Sequence, residues 1–280
     1  MSRGSLPVLE RPLPPQLLRW EGAVVFALIS ACLLSIPLSI GAMGVSWDAL
    51  NHHIYLGWTA QQHRFDLDHL GAGYQSFQSP YLYWPFYRMA VGGWSGLSTG
   101  IVLASLQLAV VWPLWMITRL CLPGTTVFDM SLRVLAIALG LMSSVVLSAF
   151  GSSMNDVLAA APLVWAVALA MKPAIGRPSW PTRIVMRYVA LSGLCAGLSV
   201  AFKLSNGPLA ILMPGLWLLC GREWTGRLMA TLLGSLAALL GFLLGYGYWG
   251  WLLWRYFGNP VYPFHHDLFT PLRLWLGWAG

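Results

Sequence analysis

What this chain lacks most is charge. Only 9% of its 280 residues are Asp, Glu, Lys or Arg, and 58% are hydrophobic, whereas soluble proteins average about 25% charged. A soluble globular domain is excluded, and long apolar runs place the chain among polytopic helical membrane proteins. Cysteine is scarce too. Cys32, Cys121, Cys195 and Cys220 lie in or beside apolar runs without metal-ligand spacing, which argues against a disulfide or zinc framework and for apolar packing. No nucleotide-binding glycine-rich loop appears either. The net charge of +7 comes from single basic residues between apolar runs, so no basic stripe exists for nucleic acid.

Hydropathy predicts an all-α polytopic membrane protein with seven spans near 23–44, 98–118, 132–151, 154–171, 187–203, 207–220 and 228–250, each near the ~20 residues a bilayer core requires. Residues 1–22 read as an N-terminal arm, 23–250 as the membrane module and 251–280 as a tail. The first run is too long for a signal-peptide core and follows a 22-residue arm, so it reads as a retained helix. Proline and glycine mark the breaks, in "RPLPPQ", "LPG", "KPAIGRPSWP" and "SNGP".

The positive-inside rule orients the drawing. With the N-terminus cytoplasmic, Arg3, Arg11, Arg19, Arg119, Arg133, Lys172, Arg177, Arg183, Arg187, Arg222 and Arg227 fall inside. Arg64, Arg88, Lys203, Arg255 and Arg273 fall outside. The fifth and sixth spans read as short, which places Lys203 in a depression below the outer surface.

The scarce ionisable groups are not scattered. Three of nine acidic residues (Asp48, Asp66, Asp68) and four of six histidines (His52, His53, His63, His69) crowd into "SWDALNHHIYLGWTAQQHRFDLDHLG", in the first outer loop, 45–97. If "DALNHHIYLGW" is helical, Asp48 and His52 are i, i+4 neighbours. Asp48 is then a candidate general base, or it shares with Ser46 the role of helix cap; both stay open. The Asp66–His69 cluster offers ligands for a divalent cation but matches no metal motif, and a solvated loop is preferred. No metal site and no cofactor is assigned.

Asn155 and Asp156 open the fourth span, where a carboxylate is costly unless it faces a polar cavity or caps the helix. Lys203, at the end of the fifth, is placed either to hold a phosphate or to snorkel to the interface. Asn206-Gly207-Pro208 suits a tight reversal. Tyr81–Gly93, with Arg88, reads as an interfacial segment. Gly241 and Gly245 form a small-xxx-small pair for helix packing. "FGNPVYPFHHDLF" brings His265, His266 and Asp267 to the outer face.

Four pieces in this order, "WDALNHHIYL…HRFDLDHLGAGYQSFQSPYLYWPFY", "SSMNDVLAAAPLV", "GLSVAFKLSNGPLAI" and "FGNPVYPFHHDLF", resemble bacterial members of the GT-C glycosyltransferase superfamily, mannosyltransferase-like enzymes with polyprenyl-phosphate sugar donors. The resemblance implies a seven-helix module in a bacterial inner membrane with its site on the extracytoplasmic side. It implies Asp48 as general base, Lys203 and Arg88 on the lipid phosphate, and Asp156 as a second acidic group. His52, Asn155, Asn206, His265 and His266 join them as candidate substrate contacts. The implied partners are a polyprenyl-phosphate-linked sugar, a lipid, glycan or protein acceptor, and membrane lipids. The family's acidic pair after the first helix is reduced here to Asp48, followed by Ala49. Its members also continue beyond the seventh span, so the end at "LRLWLGWAG" reads as a truncated frame, half of a split protein, or an inactive relic. Two other functional classes are a transporter or flippase for a lipid-linked or anionic solute, and a non-catalytic scaffold.

Overall fold

The computed structural model describes residues 7–176 and 180–278; Arg3 and Arg177, counted above for orientation, lie outside the described residues. The architecture is all-α apart from one four-residue extended segment. α1 runs from Pro15 to Ile40, with Pro15 in its first turn, where the missing N–H is no loss. It starts ahead of the apolar core at residue 23 because Arg19 and Glu21 suit a helix although they lower hydropathy. The loop after it carries a π-helical turn (Ala49–His53), α2 (Ile54–Thr59), β1 (Gly71–Tyr74) and α3 (Trp84–Val91). Then come α4 (Gly96–Gln107), α5 (Val111–Cys121), α6 (Val127–Leu141), α7 (Ser144–Ala149), α8 (Asp156–Met171) and α9 (Thr182–Phe202). α10 (Gly207–Ala210), α11 (Met213–Leu218), α12 (Trp224–Phe257) and α13 (His266–Trp275) complete the chain.

Five helical segments are long and apolar enough to cross a membrane: α1, the continuous α4–α5 stretch, α8 with its extension to Ile175, α9 and α12. By helix length and hydropathy the chain is a multi-pass membrane protein. The third and sixth expected spans are broken helices. Ser143 interrupts the third by accepting from Val146 N at 3.2 Å, which starts α7 afresh. Pro208 and Pro214 sit in the first turns of α10 and α11 and divide the sixth. The expectation of a short fifth span is corrected: α9 has 21 residues, because its helix begins at Thr182, well before the apolar window.

The segments alternate between two ends. At one, Gly44 N donates to Gly151 O at 3.0 Å and Trp249 Nε1 donates to Phe77 O at 2.9 Å; this is the loop end. At the other, the arm pairs with the α5–α6 turn, Leu13 N to Thr125 O at 2.8 Å and Val127 N to Arg11 O at 3.0 Å. A buried ion pair sits nearby: Arg133 Nε donates to Glu21 Oε1 at 2.6 Å, and Arg119 Nε lies 3.6 Å from Glu21 Oε2. Glu21 and Arg133 are 1% and 0% exposed, which only a partner of opposite charge makes tolerable.

Close helix contact is built on small residues. Gly193 and Gly197 of α9 lie against the α12 backbone at Gly234 and Ala238, and Gly241 faces the Leu194 backbone, so a Cβ at any of the three would collide with main chain. Ser192 Oγ and Ser199 Oγ each donate at 2.7 Å, to Ala166 O and Ala159 O, and stitch α9 to α8. Outside, α12 exposes Leu232, Leu236, Leu239, Leu243 and Leu244, a face suited to lipid. All four cysteines are free thiols.

Candidate functional site

The loop end gathers the ionisable residues. Ser46 Oγ accepts from Ala49 N at 3.2 Å and so caps the turn, while Asp48 makes no side-chain cap bond. The Asp48 carboxylate, about half exposed, instead faces His52, with Oδ1 3.8 Å from Nδ1. The π-turn matters here. Its i→i+5 pitch swings His53 as well as His52 over Asp48, and ligand atoms of the three residues lie within 4.8 Å of one another.

Behind them is a scaffold of uncharged groups that sequence reading did not single out. His53 is buried, packs edge-on against His52, stacks on Tyr83 at 4.6 Å, and its Nδ1 lies 2.8 Å from Ser153 Oγ. The Tyr83 hydroxyl lies beside the side chain of buried Asn155. Gln107, buried in α4, holds the turn that carries Ser153 and Asn155. Its Nε2 donates to Ala149 O at 2.8 Å and Met154 O at 3.1 Å, and its Oε1 accepts from Gly151 N at 2.9 Å. The only sequence signal for Gln107 was an amide inside an apolar span.

Asp156 opens α8 and pairs with Lys203, which follows α9; the carboxylate is half exposed and the ammonium less so. Both act electrostatically on His53, and Lys203 also on His52. Asp48, His52, Asn155, Asp156 and Lys203 therefore share one neighbourhood. Burial dominates the imidazoles. It lowers the pKa of His52, opposed by Asp48, and pulls His53 down to about 4, so both rings are neutral at pH 7. Lys203 also borders a cavity of about 190 Å³ lined by Phe77, Gln78, Ser79, Tyr246, Tyr262 and Phe264.

The remaining expected residues make their side-chain contacts with other groups. Asn206 is committed to the frame: its Nδ2 donates to Ser199 Oγ at 2.9 Å and Ala159 O at 3.1 Å. Arg88 lies beside Gln61, whose oxygen, with the amide turned to face its donors, accepts from Arg88 NH1 at 3.2 Å and Trp84 Nε1 at 3.0 Å. No hydrogen bond or ion pair joins Arg88 to Lys203 or Asp48 among the described residues. His266 is 3.1 Å from Arg273 NH2 and lines a cavity with Tyr256, Tyr262 and Trp278. His265 is exposed, in left-handed conformation at the start of α13.

The preferred solvated-loop reading of Asp66–His69 needs amending, because two of its members have protein partners. Asp68 pairs with Arg64 and accepts from Tyr55 Oη at 3.1 Å. Asp66 accepts from Tyr256 Oη at 2.9 Å, and His63 Nε2 lies 3.0 Å from the same oxygen. The loop is docked onto the end of α12. At the arm end a cavity of about 510 Å³ lies between Trp180, Thr182, Arg222, Glu223 and Arg227, away from Asp156. No family model, curated protein or solved structure matches the chain.

Proposed function

We propose that the chain is a membrane glycosyltransferase that moves a sugar from a polyprenyl-phosphate donor to an acceptor hydroxyl on the extracytoplasmic side of a bacterial inner membrane. In this reading the broken third and sixth segments also cross the bilayer, giving seven crossings, and the excess of Lys and Arg at the arm end marks the cytoplasm. The observation that carries it is the convergence of Asp48 with the Lys203–Asp156 pair at one end of the bundle.

The chemistry asks little of the protein beyond positioning and charge. The acceptor oxygen bonds to the anomeric carbon, the bond from that carbon to the phosphate oxygen breaks, and the polyprenyl phosphate leaves as an anion. The hydroxyl proton goes to the Asp48 carboxylate, which is open to solvent and free of a capping bond. Lys203 has three donor hydrogens and keeps donors for a phosphate oxygen while paired with Asp156. Arg88, His265 and His266 make no side-chain hydrogen bond with Asp48 or Lys203 among the described residues, and the step is written without them. Asn206 holds the frame.

The test is transfer from a radiolabelled polyprenyl-phosphate sugar to endogenous acceptors in membranes containing the chain. Asp48→Asn is expected to abolish transfer with expression unchanged, and Lys203→Ala to raise the donor KM. Full activity in Asp48→Asn sinks the base assignment, and an unchanged donor KM argues against the clamp. Absence of transfer by the wild type from any such donor overturns the proposal.

A further inference from the structure

We infer that Asp48, His52 and His53 form a binding site for one divalent transition-metal cation of the zinc type. Two imidazoles and a carboxylate are a ligand set such ions accept, and three protein ligands leave a position open for an exogenous oxygen. The site is distinct from the Asp66–His69 cluster, whose carboxylates are taken up by Arg64, Tyr55 and Tyr256.

Four observations converge on it. Ligand atoms of the three side chains already lie within 4.8 Å of one another. Ligands at ~2.0–2.2 Å from zinc are separated by about 3.5 Å, close to the 3.8 Å between Asp48 Oδ1 and His52 Nδ1, so closure asks a shift of roughly an ångström within the group. Next, the 3.8 Å gap between Asp48 Oδ1 and His52 Nδ1 is too wide for a hydrogen bond, and among the described residues neither group has a hydrogen-bond partner. Third, the Ala49–His53 turn is π-helical, the distortion that brings residue i+5 over residue i and that recurs at functional sites. Finally, His53 has the support a metal ligand needs. Ser153 Oγ engages its Nδ1 at 2.8 Å, leaving Nε2 available, and Tyr83 stacks on the ring and fixes its plane.

The charge balance is compatible. Lys203 opposes a cation nearby, but Asp156 is paired with it, so the carboxylate of Asp48 sets the local sign. The site stands on this geometry and not on the transferase reading. A metal at Asp48 would also acidify a hydroxyl or water bound beside it.

The experiment uses the full chain, purified in detergent and stripped with EDTA. Zn²⁺ is titrated by calorimetry, and Co²⁺ by its visible absorption. One equivalent is expected, with Asp48→Asn and His52→Gln each weakening binding at least tenfold and altering the Co²⁺ spectrum. Ser153→Ala should weaken it by roughly 10–100-fold, as loss of a supporting hydrogen bond does elsewhere. His63→Gln should leave it unchanged. Asp48→Asn alters a half-exposed group, so it tests the site without burdening the fold. Absence of saturable binding overturns the inference, as does equal affinity in the Asp48→Asn/His52→Gln double variant. Because these readouts need no transfer, metal binding without transfer sinks only the proposed function, and transfer without metal binding sinks only this site.

Discussion

His53 and Ser153, one hundred residues apart in the chain, meet through Nδ1 and Oγ at 2.8 Å, and that contact joins the first loop to the start of α8. It ties the face carrying Asp48 to the turn carrying Asn155 and Asp156. The two halves of the candidate site are therefore held by uncharged groups, with the charges left facing outward.

Gln107 is the tie on the other side of that turn. Gln107→Leu removes the amide from Ala149 O, Met154 O and Gly151 N and leaves buried main-chain groups unpaired. A loss of about 2–3 kcal/mol is expected, read as a lower unfolding temperature in detergent. A value equal to wild type would show that the turn is held by other means.

Glu21→Ala isolates the Arg133 guanidinium, which is fully buried. Removal of one partner from a buried pair costs about 3–5 kcal/mol, enough to deplete folded, monodisperse protein. Glu21→Met with Arg133→Met should recover most of it, since replacing both partners with apolar side chains leaves no buried charge. Size-exclusion chromatography of the three forms decides.

The Lys203–Asp156 pair is partly exposed, so Lys203→Ala should change stability by less than about 1 kcal/mol. Its effect on donor use should be large by comparison. Equal damage to both would mark Lys203 as a structural residue.

In the metal-free protein, acid should loosen the loop end. Protons favour the unfolded chain, where histidine titrates near 6.5, over the native state, where burial lowers both His52 and His53, the latter to about 4. The groups facing them are Asp48, which opposes the shift on both, Asp156, which opposes it on His53, and Lys203, which reinforces it. Stability is thus fully present above about pH 7, falls between 6.5 and 4, and levels off below. His53→Gln should flatten this limb of an unfolding-temperature against pH curve; an unchanged slope would trace it to other groups.

Gly197→Val should separate α9 from α12, because the new side chain meets the Ala238 carbonyl and backbone cannot step aside as a side chain does. Overpacking of this kind costs about 1–3 kcal/mol or more. Gly247→Val, where nothing lies near the new Cβ, is the matched control in the same thermal assay.

Much of this was legible in the sequence because charge is rare in it. Asp48, Asp156 and Lys203 stand out against apolar neighbours, and the topology that alternates the spans brings them to one end. The glycines of α12 were legible as a packing face, but not their partners Gly193 and Gly197, since the rotation of α9 depends on tertiary contacts. Tyr83, Ser153 and Gln107, and the pairing of His53 with the first two, escaped for a related reason. Their polar atoms are ordinary, and their pairing spans separations that no local pattern encodes. Ser143 divides a run that hydropathy, blind to helix caps, reads as continuous.

α12 has 34 residues, about 51 Å of helix at 1.5 Å per residue, against a hydrocarbon layer of ~30 Å. If α12 stands upright, roughly 20 Å of it emerges from the apolar layer, and tilt shortens that excess. At the loop end Trp249, Tyr256 and Phe257 grip Phe65 and Phe77 of the first loop. The helix thus works as a mast to which the loop is lashed, so that a tilt of α12 carries the first loop with it.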